Sequence, residues 1–106
     1  MPDSEAVLVR VRQIATVLTA ADRRGLTDVR LTASPHRRLA LQPSPHPSTD
    51  VARAVLHDLG AEETTTSHTF EGRDGREPWV AVTGYVNLMG EQVEVDVFAA
   101  VTEAPR

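Results

Sequence analysis

The sequence predicts a two-layer α+β sandwich, with two helices packed on one face of a mostly antiparallel sheet and the element order α-β-β-α-β-β-β. Three observations carry that expectation. Residues 4–24 repeat apolar side chains at helical spacing, and residues 78–101 alternate valines with polar residues on both sides of Met89-Gly90. Between them, residues 43–49 hold three prolines and separate a short β-compatible stretch from a second helical pattern.

The first helix is read from Val7, Leu8, Val11, Ile14, Ala15, Leu18 and Ala21, which fall on one face at i, i+3, i+4, i+7. Asp3 or Ser4 is expected to cap its start, and Arg23, Arg24 and Gly25 supply a cationic last turn and a left-handed stop. Val29 and Leu31, then Leu39 and Leu41, alternate around a turn-forming Ala33-Ser34-Pro35-His36-Arg37 and predict a hairpin. After the prolines, Ser48 or Thr49 caps a second helix over 50–59, with Val51, Ala52, Val55, Leu56 and Leu59 on one face and Gly60 as its stop. Residues 62–70 are rich in threonine and weakly apolar, which suits an edge strand, and Asp74-Gly75 marks the turn that follows.

The last two strands, 78–88 and 92–101, carry their own register. A two-residue turn at Met89-Gly90 sets Val86 opposite Val93, Gly84 opposite Val95, Val82 opposite Val97 and Val80 opposite Ala99. A slip of one residue would set the valines against Glu94 and Asp96. The other face then pairs Tyr85 with Glu94, Thr83 with Asp96, Ala81 with Phe98 and Trp79 with Ala100.

At 106 residues, with 41% hydrophobic and 25% charged, the chain reads as one domain over residues 1–106. The start Met1-Pro2-Asp3-Ser4-Glu5 has no basic segment leading into an apolar run, and no stretch nears the roughly 18 apolar residues of a membrane span. A cytoplasmic protein without membrane contact is expected. There is no cysteine and no lysine, so disulfides, thiolate nucleophiles, cysteine-ligated zinc, Schiff bases and Walker-type phosphate loops are excluded. Lys, Ile, Asn, Phe and Tyr together supply five residues, against thirty-seven from Ala, Gly, Pro and Arg. That split follows codon GC content and points to a high-GC bacterium, its phage or a mobile element.

Net charge is −4, as +3 over residues 1–53 and −7 over 54–106. Overall acidity makes nucleic acid an unfavoured partner. The alternative of a small DNA-binding regulator rests on Arg30, Arg37 and Arg38, which could grip phosphates bidentately. A second alternative, metal-dependent phosphodiester cleavage, rests on Glu94 and Asp96, at i and i+2 on one strand face. Alternating acids on a wet strand face are ordinary, however, and His36, His46, His57 and His68 have no metal-ligand spacing. No serine sits in a nucleophile-elbow context, and no cofactor is implied.

What remains is an aromatic patch. Trp79, Tyr85 and Phe98 fall with Thr83 on the face away from the valines, where the helices do not reach. Exposed patches holding Trp and Tyr tend to be interfaces. The sequence therefore predicts a non-enzymatic protein-interaction module, homodimeric or bound to another protein through that outer face. The competing expectation is that the N-terminal hairpin or a chain end folds over the patch.

Overall fold

The computed structural model describes residues 2–34, 37–67 and 79–100. Its elements are α1 (Pro2–Arg23), β1 (Val29–Ser34), β2 (Arg38–Pro43), α2 (Thr49–Asp58), β3 (Thr64–Thr66), β4 (Trp79–Leu88) and β5 (Glu91–Ala100). The expected Asp74-Gly75 turn lies outside the described residues, as do His36, His68 and Phe70. Both helices cover one face of a five-stranded sheet of order β1-β2-β5-β4-β3, so the chain has the expected α+β fold. All neighbouring strands run antiparallel except β2 and β5, which are parallel and central.

The β4–β5 register is the one the valine pattern predicts, from Leu88 opposite Glu91 to Trp79 opposite Ala100. Met89 and Gly90 both adopt positive φ, 54° and 81°, which matches the twist of a two-residue hairpin turn to that of its strands. Val82, Val86, Val93, Val95 and Val97 are buried on the helix-covered face. Gly84 lies in that row because a Cβ there would sit 3.0 Å from the Ala61 Cβ, where the chain leaves α2. The N-terminal hairpin does not fold over the sheet. It extends it, with Leu39 and Leu41 joining the core beside Val95 and Val97. Of the threonine-rich segment 62–70, the described strand is only Thr64–Thr66, an edge paired with β4.

Helix α2 begins as expected, with the Ser48 hydroxyl oxygen accepting from the Val51 amide at 3.2 Å. It buries Ala52, Val55 and Leu56 against β4 and β5.

Helix α1 departs from its expected placement twice. It starts at Pro2, so Asp3 and Ser4 lie inside it rather than at its cap, and proline suits the first helical turn, whose amides have no partner within the helix. More consequentially, its most apolar stripe does not face the sheet. Gln13, Val17, Ala20 and Ala21 are the buried residues, while Val7, Leu8 and Val11 are 59%, 55% and 54% exposed and Ala15 is exposed too. Ile14 and Leu18 pack against the core margin only partly buried. At 100° per residue the buried line and the exposed stripe lie roughly two-fifths of a turn apart. Two polar anchors fix that roll. Arg10 Nη1 donates to the Ser34 carbonyl at 3.2 Å, and Gln13 Nε2 donates to the Leu88 carbonyl at 3.2 Å and to Glu91 Oε1 at 2.8 Å. Turning the stripe inward would break both anchors, and buried polar groups without partners are costly.

Candidate functional site

The outer face of the sheet brings together most of the residues that sequence reasoning singles out. Pairing across β4, β5 and β2 sets Tyr85, Glu94 and Arg38 in one row, and Thr83, Asp96 and Ala40 in the next. At the other end of the face, the Trp79 and Phe98 rings stack with centroids 4.5 Å apart, and the His46 ring lies 6.3 Å from Trp79. His46 comes from the proline segment, which is held to the sheet by the Ala100 amide donating to the Pro47 carbonyl at 2.7 Å. Trp79 and Phe98 are half-buried by this arrangement, while Tyr85 stays 57% exposed.

The polar half of this face is a closed network. Arg38 Nε lies 2.6 Å from Glu94 Oε2 and 2.8 Å from Asp96 Oδ2, so one guanidinium bridges both carboxylates. The Thr83 hydroxyl donates to Asp96 Oδ1 at 2.6 Å, and the Tyr85 hydroxyl donates to Glu94 Oε1 at 3.0 Å. Asp96 is only 4% exposed, a buried carboxylate made tolerable by these two donors. The Asp96 hydrogen bond, with the charges of Asp96 and Glu94, holds the Arg38 guanidinium above its usual range. Hydrogen bonding to the Glu94 carboxylate likewise holds the Tyr85 phenol above the usual tyrosine value.

This geometry bears on both alternative chemistries. The cation between Glu94 and Asp96 is Arg38, which sits where a divalent ion would have to bind. Among the described residues no group of three His, Asp or Glu side chains is arranged to hold a metal. The arginines do not form one open basic patch. Arg38 is bound to two acids, and Arg37 Nη2 lies 3.8 Å from Glu91 Oε2. Arg30 is exposed on β1, opposite Gln42, and lies apart from them.

A second surface was hidden in the sequence by its own strength. Val7, Leu8 and Val11 read there as core because an apolar stripe at helical spacing is usually core. The signal that could have placed them outside was Gln13, a polar residue nearly half a turn away with the small Ala20 and the branched Val17 near its line. Beside the stripe, Ala15, Thr19, Arg23 and Asp58 line a cleft between α1 and α2. No helix among the described residues is long and apolar enough to cross a membrane.

Neither the protein-family models, the curated proteins nor the solved structures contain a match to this chain.

Proposed function

We propose that this protein is a non-enzymatic protein-interaction module whose docking element is the N-terminal half of α1. The observation that carries this reading is the run of Val7, Leu8 and Val11, each more than half exposed on a helix that packs its core through other residues. An ordered apolar stripe left in water by a helix that has a core of its own is a surface suited to a partner. The bridged Glu94–Arg38–Asp96 group favours this over metal-assisted cleavage, and the pairing of Arg37 and Arg38 with acids favours it over phosphate binding.

The test replaces Val7, Leu8 and Val11 together with glutamine, which keeps helix propensity. Urea unfolding is expected to shift by no more than about 0.5 kcal/mol, as for surface positions. Fluorescence of an apolar dye bound to the folded protein is expected to fall. A stability loss of about 2 kcal/mol or more would place the stripe in the core and end this reading.

The outer sheet face supports a second reading, homodimerisation through Trp79, Thr83, Tyr85 and Phe98, and the specific observation in its favour is the exposed Tyr85 ring. The half-buried Trp79–Phe98 stack and the satisfied Thr83 hydroxyl leave less of that face in need of a partner than of α1.

A further inference from the structure

We infer that the exposed stripe of α1 is the seam of a homodimer in which the α1 helices of two copies cross antiparallel beside Leu8. The inference rests on the reading of this stripe as a docking element and adds its occupant. Three features of α1 converge on it. Val7, Leu8 and Val11 stand at i, i+1 and i+4 on one stripe centred beside Leu8, and each is more than half exposed. The residues that α1 buries, Gln13, Val17, Ala20 and Ala21, lie on a different face of the helix from this stripe.

The charges choose the occupant. Glu5 and Arg12 lie seven residues apart, two helical turns, and therefore on one flank of the stripe. Both are exposed, and among the described residues neither has an ion-pair partner. In an antiparallel pair each flank faces the same flank of the other copy. Glu5 of each chain then meets Arg12 of the other, twice by symmetry, and the midpoint between positions 5 and 12 falls beside Leu8. The centre of the charge pairing thus coincides with the centre of the apolar exposure. A parallel pair would instead set this flank against the Arg10 side, where the guanidinium already binds the Ser34 carbonyl. A helix that is complementary to itself in both apolar spacing and charge fits a second copy of this chain. The contact is one helix face, less than the roughly 800 Å² per partner of a standard stable interface, so the dimer forms and dissociates with concentration.

Sedimentation velocity of the full chain between about 1 and 300 μM tests this. Wild type is expected to pass from monomer to dimer. Leu8→Asp, Glu5→Arg and Arg12→Glu are each expected to weaken the dimer about tenfold or more, because each sets a charge against the seam or a like charge across it. The double variant Glu5→Arg with Arg12→Glu is expected to restore it, since the pairing is again reciprocal. An equimolar mixture of the two single charge variants is expected to form a heterodimer. Far-UV circular dichroism checks that Leu8→Asp stays helical; should it not, the charge variants decide alone. A dimer lost on Trp79→Ala but kept in Leu8→Asp overturns the inference in favour of the sheet face. A double charge variant that fails to restore association overturns it as well. Wild type that stays monomeric throughout overturns the second copy as occupant, while an unchanged urea stability of the triple glutamine variant would leave the docking reading standing for another partner.

Discussion

Helix α2 turns its apolar stripe onto the sheet, whereas α1 turns the larger part of its stripe away. The two helices read alike in the sequence, each with apolar residues at i, i+3 and i+4 and each ending in a glycine. In the fold, α2 buries Val55 and Leu56 completely, and α1 leaves Leu8 more than half in water. The difference lies in what fixes each roll. On α2 the sheet-facing Ala52, Val55 and Leu56 are apolar. Its polar reach to the sheet is an exposed contact, Arg53 Nη2 donating to the Thr66 hydroxyl at 3.4 Å on the edge strand. Burial of apolar area therefore chiefly sets its angle. On α1, Arg10 and Gln13 reach backbone carbonyls at the ends of β1 and β4, and Gln13 is 1% exposed. Two directed hydrogen bonds into the sheet, with Val17, Ala20 and Ala21 buried beside Gln13, hold the roll that leaves three aliphatic side chains outside. Periodicity therefore establishes that a helix has an apolar face, and buried polar positions decide where that face points.

The comparison is sharpest between two leucines. Leu56→Ala is expected to cost about 2–5 kcal/mol of unfolding free energy, the range for deleting a fully buried leucine side chain. Leu8→Ala, the same substitution on the other helix, is expected to change stability by no more than about 0.5 kcal/mol in dilute solution. Urea unfolding at micromolar concentration, where association does not contribute, measures both. Equal losses would mean that α1 buries its stripe and that the contrast between the helices does not exist.

Next in size is the anchor itself. Gln13→Leu keeps most of the side-chain volume but removes the donor shared by the Leu88 carbonyl and Glu91. A loss of about 1–3 kcal/mol is expected, the cost of leaving a buried acceptor unsatisfied. The same variant frees the roll of α1, so amide exchange at residues 7–11 should slow if the stripe then turns toward the sheet. A variant more stable than wild type would show that Gln13 does not set the angle.

The same contrast explains how much could be read from the sequence. The β4–β5 pair was legible down to individual partners, because a two-residue turn, a valine parity and the acids on the opposite parity all specify one register. The element order and α2 were legible for similar local reasons. The parallel pairing of β2 with β5 was not, since it joins residues more than fifty positions apart and leaves no local periodicity. That pairing is what brings Arg38 to Glu94 and Asp96, so the outer-face aromatics could be placed from the hairpin alone while the ion bridge beside them could not. The roll of α1 was hidden because one glutamine in an otherwise regular pattern looks like an exposed residue until its partner on the β4–β5 turn is known.

The smallest expected effect concerns the Arg24–Asp58 ion pair, which joins the two helices at their C-terminal ends. Arg24, just past α1, reaches Asp58 at the end of α2 through Nε at 2.7 Å and Nη2 at 2.8 Å. The hydrogen bond from Arg24, with its charge, holds the Asp58 carboxyl below the ordinary value of 3.8. Because the folded value lies below the unfolded one, the stabilisation is fully present above the unfolded pKa and is lost as pH falls through the folded one. Neutral pH therefore sees the whole of it, and the loss is confined to strongly acidic solution. Both groups are solvent-exposed, so screening by salt keeps the contribution small. An NMR titration of the Asp58 side-chain carboxyl should show the lowered midpoint, and Arg24→Gln should return it toward the ordinary value with little change in urea stability at neutral pH. A midpoint that stays low in Arg24→Gln would assign the shift to other charges near the end of α2. A large stability loss would instead mean that this pair, and not the Gln13 and Arg10 anchors, holds α1 in its roll.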